Sequence, residues 1–127
     1  MPASEDLRAT VESYIKAFNA GDRDAWLDHF ADDARQEDPV GAPVNEGHEA
    51  IGAFYDNLLN SFGAPSVTLM QDPIVCGNEV AMAFQAEAGP EGGRVRIPMI
   101  IDHLVFDDDG KITSLRAFWD PATITPI

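Results

Sequence analysis

The apolar residues of this chain change period once, near Ser66, and that switch restricts the fold more than any single motif does. Before it the spacing is helical. Leu7, Val11, Tyr14, Ile15 and Phe18 line one face of a helix over residues 4–20, with Ser4 as the expected N-cap and Gly21 as its stop. Asp22 is placed to cap a second helix through about residue 31, buried by Trp26, Leu27 and Phe30 and ended at the surface by Asp32-Asp33. A third helix is expected over residues 48–61, with Ile51, Phe54, Tyr55, Leu58 and Leu59 on its inner stripe. After Ser66 the pattern reads as strands at 67–70, 74–76, 80–87, 95–106 and 112–119. Gly-Asn, Gly-Pro-Glu-Gly-Gly and Asp-Asp-Asp-Gly turn signals divide them. Helices followed by a strand meander give an α+β class, with the helices on one face of a mostly antiparallel sheet, in one domain over residues 1–127.

Charge narrows the partners. Twenty-two acidic residues against 8 basic leave a formal net charge of −14. Such a surface repels nucleic acid and anionic lipid and favours a neutral, apolar ligand. No apolar run approaches the roughly 20 residues that span a bilayer. Met-Pro-Ala-Ser-Glu-Asp has neither the basic nor the apolar region of a signal peptide. The one cysteine, Cys76, suits a reducing cytoplasm and is expected to pack as a small hydrophobe. His29, His48 and His103 are too scattered for a metal site, so neither metal nor cofactor is expected.

Four polar side chains then look out of place. Asp38 sits in Arg35-Gln36-Glu37-Asp38-Pro39-Val40-Gly41, where Pro39 stiffens the backbone and Gly41 permits a turn, so its carboxyl can be aimed. Asp102 falls in the most apolar strand, on one face with Ile100, Leu104 and Phe106. Buried there it favours the protonated form; on a solvated face, or paired with Arg116 or His103, it is an ordinary anion. Tyr14 carries its hydroxyl on the buried stripe of the first helix, and Tyr55 on the third could supply that hydroxyl with a partner. A base and two neutral donors in one dry cavity are the equipment for moving a proton next to a carbonyl. Phe54, Met82, Phe84 and Met99 are candidate pocket walls or core.

The motifs around these residues resemble those of bacterial Δ5-3-ketosteroid isomerases, within the nuclear-transport-factor-2-like (SnoaL-like) superfamily. They are Tyr14 with Asn19-Ala20-Gly21-Asp22, Phe30-Ala31-Asp32-Asp33-Ala34, Glu37-Asp38-Pro39-Val40-Gly41, Ile51 to Tyr55, Ile101-Asp102-His103 and Arg116-Ala117-Phe118-Trp119. The resemblance implies a cone of curved sheet and three helices around an apolar pocket, and a homodimer. It implies Asp38 as the base carrying a proton from C4 to C6 of a 3-oxo-Δ5-steroid, with Tyr14 and a neutral Asp102 on the C3 oxygen. It also implies Tyr55 hydrogen-bonded to Tyr14 from behind, and Trp119 lining the base's side. Two departures stand out. Phe30 ends the tyrosine network that many relatives extend, and Gln85–Ile97 is small and Gly-rich where relatives carry bulkier hydrophobes.

Two other function classes fit the same scaffold. One is a polyketide cyclase or an epoxide hydrolase of the Asp-Arg-Asp type, for which Arg96 and Arg116 are the available cations. The other is a non-catalytic steroid- or lipid-binding module.

Overall fold

The computed structural model describes residues 2–127. Three helices, α1 (Ser4–Ala20), α2 (Arg23–Leu27) and α3 (Gly47–Phe62), lie against one curved mixed sheet. Its strands are β1 (Phe30–Glu37), β2 (Asn45–Glu46), β3 (Ser66–Leu69), β4 (Ile74–Cys76), β5 (Glu79–Ala88), β6 (Val95–Phe106), β7 (Ile112–Phe118) and β8 (Thr125–Pro126). The order is β2-β1-β7-β6-β5-β3, with β4 also on β5 and β8 on β6. All pairs are antiparallel except β1 with β7, which is parallel.

The second helix is shorter than its apolar spacing suggests. It stops at Leu27, and Phe30 opens β1 instead, pairing with Ile112. Trp26 and Phe30 are both buried, as an i, i+4 helical pair would be, so periodicity could not separate a helix from a helix that hands over to a strand. Asp32 and Asp33 are exposed as expected, but on that strand. Ser4 is the first helical residue rather than the cap; Ala3 holds that place without a side-chain bond. Gly21, at φ 71°, closes α1 in the left-handed conformation, and Asp22 caps α2 by accepting from the Ala25 N–H.

Two polar ties fix the helices on the sheet. The Asn19 amide donates to the Val67 carbonyl and accepts from the Val67 N–H, at 3.0 and 2.9 Å, locking the end of α1 to β3. His48 Nε2 lies 2.7 Å from the Phe30 carbonyl, joining α3 to β1. The core between the layers includes Leu7, Val11, Ile51, Leu104, Phe106 and Ile112. A register shift between Phe84 and Ala86 bends β5 against β6. Cys76 is exposed, contrary to expectation, because β4 is a short edge strand with Val75 as its more buried residue.

Candidate active site

Sheet register brings the two aspartates to one row. The parallel pairing of Glu37 with Arg116 sets Asp38 beside Ala117, and Ala117 pairs with Asp102 across β7 and β6. The Val40 N–H donates to the Ala117 carbonyl at 2.8 Å, holding the chain after β1 against β7. Two strand steps separate the aspartate backbones, roughly 10 Å at about 4.8 Å per step, so their side chains can face one small ligand. The Asp38–Pro39 peptide bond is cis, and the Gly41 N–H donates to the Glu37 carboxylate at 3.0 Å, closing the turn. Tyr14 reaches the same space from α1.

Tyr14, Asp38 and Asp102 are the polar side chains of a cavity otherwise walled by hydrocarbon and aromatic groups. Phe54 of α3, Met82 and Phe84 of β5, Ile100 of β6 and Trp119 beyond β7 form much of that wall. The space measures about 770 Å³ including its open mouth, within the range of small-molecule sites. Pro65 lines it further along, together with Ala86, Ala88 and Ile97 from the Gln85–Ile97 stretch.

The two carboxyls differ in what meets them. Asp38 Oδ1 accepts the Trp119 indole N–H at 2.7 Å. Burial raises the Asp38 carboxyl above its ordinary value, and this hydrogen bond opposes the rise. Asp102, 4% exposed, accepts no such bond. Burial, then the nearby charge of Asp38, push it well above the usual carboxylate range. Of the two, Asp38 is therefore the easier to ionise, and Asp102 the one pushed further toward its protonated form. The Tyr14 phenol is likewise pushed well up, first by burial and then by Asp102, so it too stays neutral. The side chains considered as partners of Asp102 are engaged elsewhere: Arg116 with Glu37 at 3.1 Å, and His103 with Glu79 at 2.6 Å. Arg96 pairs with Glu87 at 2.8 Å, so an Asp-Arg-Asp set does not form around the cavity.

Two expected placements need correction. Met99 is 46% exposed on the outer face of β6, because alternation with the inward Ile100 and Asp102 turns it away from the cavity. Tyr55 does not stand behind Tyr14. Its hydroxyl donates to the Phe18 carbonyl at 2.6 Å, satisfying a group near the end of α1. Beside Tyr14 instead is Trp26, with ring centroids 6.0 Å apart. Trp26 Nε1 and Gln36 Nε2 are buried without a hydrogen-bond partner among the described residues, and sequence reading singled out neither. An indole on a helical stripe reads as core, and only its N–H direction distinguishes it. Among the described residues, no group of three or more His, Cys, Asp or Glu side chains is arranged to hold a metal, and no helix is long and apolar enough to cross a membrane.

Comparison with known proteins agrees with this architecture. The model of the SnoaL-like domain matches residues 11–115. A curated relative from Nocardioides simplex, named Steroid Delta-isomerase, is 36% identical over 125 residues, covering 97% of this chain and 98% of that protein. Among solved structures, SalBIII, described as an epoxide hydrolase/cyclase-like enzyme with a role in pyran ring formation in polyether salinomycin, superposes with a TM-score of 0.89. It is 28% identical over 100% of both chains. The RV0760c protein of Mycobacterium tuberculosis superposes with a TM-score of 0.85 at 23% identity, over 98% of both chains, a likeness of fold. The match to the domain model over most of the chain, together with the shared fold, makes this protein a member of the SnoaL-like family.

Proposed function

We propose that the protein is a cofactor-independent isomerase that moves the double bond of a 3-oxo-Δ5-steroid, or a similar β,γ-unsaturated ketone, into conjugation. The observation that carries this reading is the division of labour in one apolar cavity. Asp38, whose carboxylate accepts the Trp119 N–H, shares the space with Asp102 and Tyr14, both of which burial pushes toward their neutral forms. The Asp38 carboxylate takes the proton at C4. Electrons of that C–H bond form the C3–C4 double bond of a dienolate, and the charge reaching the C3 oxygen is met by the Tyr14 hydroxyl and the Asp102 carboxylic acid. Asp38 then returns the proton to C6 and is restored. The hydrocarbon walls exclude water, so both hydrogen bonds act in a weakly screening medium and the proton is not lost to solvent. The named relative supports the isomerase class.

The test is to add 5-androstene-3,17-dione and follow the ultraviolet absorbance of the conjugated enone. Turnover abolished by Asp38→Asn supports the reading, and a folded protein giving no rise above the buffer rate refutes it. A cyclase or epoxide-opening activity is the second reading, favoured by the likeness to SalBIII. It uses Asp102 to protonate a departing oxygen and Asp38 to activate the nucleophile. Release of a diol or cyclic ether from an epoxide, without enone formation, would select it. A binding module would hold steroid with no turnover.

The proposed partner in assembly is a second copy of the chain, to which Met99, Ile101 and Phe118 offer an apolar outer sheet face. Sedimentation at a dimer mass tests this. A cytoplasmic location is proposed from the single cysteine.

A further inference from the structure

Tyr14 presents its hydroxyl to the cavity, and a phenol oxygen has lone pairs free to accept from behind. The side chain expected there, Tyr55, spends its only O–H on the Phe18 carbonyl. Of the rings packed around Tyr14, Trp26 is the one whose N–H acts on the phenol. Its ring lies against Tyr14 with centroids 6.0 Å apart, stacks on Tyr55 at 4.8 Å, and meets Phe30 edgewise at 4.8 Å. The residue is 1% exposed and its Nε1–H has no acceptor of good geometry among the described residues. Buried N–H groups in native proteins are almost always paired, so an orphan beside a functional phenol requires an account.

We propose that Trp26 is a positioning residue for the isomerisation: its buried N–H closes onto the Tyr14 oxygen as negative charge develops there, strengthening the hydrogen bond that Tyr14 donates to the substrate oxygen. This rests on the isomerase reading of the cavity. In the resting state the N–H already interacts with the Tyr14 phenol but short of full hydrogen-bonding geometry, as catalytic hydrogen bonds often are before substrate tightens them. The electrostatics run the same way. Burial, Asp102, Asp38 and Tyr55 all oppose ionisation of the Tyr14 phenol, and Trp26 eases it. A donor behind the phenol polarises its O–H, so the two hydrogen bonds reinforce each other. Phe30 has no hydroxyl with which to extend the set, so on this reading the relay runs from Trp26 to Tyr14 to substrate and stops.

The test deletes the N–H and keeps the shape, by replacing the Trp26 indole with benzothiophene through incorporation of benzothienylalanine, with Trp26→Phe as its genetic counterpart. In the benzothienyl protein kcat is expected to fall about tenfold, the worth of one hydrogen bond to a developing charge, with KM and the melting temperature kept. A second readout is independent of turnover. The chain has two tryptophans, so the protein labelled with 15N gives two indole N–H resonances, and Trp119→Phe assigns them. Tyr14→Phe is expected to move the Trp26 resonance upfield and leave that of Trp119 in place. An unchanged kcat in the benzothienyl protein, or a Trp26 resonance indifferent to Tyr14→Phe, overturns the proposal. If the unaltered protein turns over no Δ5-ketosteroid, the isomerase reading fails, and the resonance still decides whether the indole serves Tyr14.

Discussion

Replacing Asp102 with asparagine should change how stability responds to pH, with a sign and size fixed by the site. In the folded protein the carboxyl lies among hydrocarbon walls with Asp38 as its nearest charge, and both push it well above 3.8. Unfolded, it ionises at its ordinary value. Between those two values the native state holds a proton that the unfolded chain has released. Stability is therefore fully present below the unfolded value and declines as pH rises toward the folded one, by about 1.4 kcal/mol per pH unit for one group. Where the folded carboxyl stays protonated from about pH 5 to about pH 7, the decline is about 2.7 kcal/mol.

Asparagine has nearly the same shape and no proton to lose, so its variant should lack this slope. Asp38 also carries a raised value and adds a slope of the same sign, but it is present in both proteins and cancels in the difference. Urea unfolding at several pH values reads the effect directly. The stability gap should move in the variant's favour as pH rises from about pH 5 to about pH 7, at up to about 1.4 kcal/mol per pH unit while the folded carboxyl keeps its proton, read as a rising difference in urea midpoint. Parallel pH profiles for the two proteins would show that the carboxyl at position 102 ionises in the fold as it does in water. The claim that it serves as a neutral donor would then be wrong.

Four further outcomes follow from the same geometry. Asp38→Asn should lower kcat by at least about 100-fold with binding of a neutral steroid retained, checked by single-turnover kinetics and by equilibrium dialysis. Tyr14→Phe and Asp102→Leu should each lower kcat by about 100-fold or more, and the double variant should fall short of the product, since both donors meet one oxygen. The acidic limb of kcat/KM, which follows protonation of Asp38, should move to higher pH in Trp119→Phe, because the indole N–H is what opposes the rise caused by burial. Tyr55→Phe should leave kcat within about twofold and lower stability by about 1 kcal/mol, since its hydroxyl serves a backbone carbonyl rather than Tyr14.

How far the sequence could be read depended on which constraint ruled each segment. Where a residue's position follows from a single period, the expectation matched: β6 runs over residues 95–106, with Ile100, Asp102, Leu104 and Phe106 all inward. The same alternation turns Met99 outward, away from the cavity. The second helix reads through about residue 31 in the sequence but ends at Leu27, because Phe30 satisfies both a helical stripe and an inward strand position. The deciding factor was its parallel pairing with Ile112, more than 80 residues away in the chain. The two-residue strands β2 and β8 exist only through their neighbours and carry no pattern of their own. At the site, the residues that line the cavity were legible as polar side chains on apolar stripes. The hydrogen bonds behind them were not, since the choice between Tyr55 and Trp26 as the neighbour of Tyr14 turns on where one ring tip points.

The cavity sets two identical functional groups against each other, and a single indole decides which carries charge. Asp38 is half-buried and Asp102 buried, both line the same apolar cavity, and neither has a cation partner among the described residues, so desolvation leaves each reluctant to ionise. The Trp119 N–H reaches only Asp38, at 2.7 Å. Once Asp38 is charged, its field raises Asp102 further, and the first small preference becomes a firm division of roles. A cation near either carboxyl would undo this by making both anionic. Arg116, beside Ala117 in β7, is instead paired with Glu37 away from the cavity. Reactivity here therefore depends as much on keeping positive charge out of the cavity as on placing the aspartates within it.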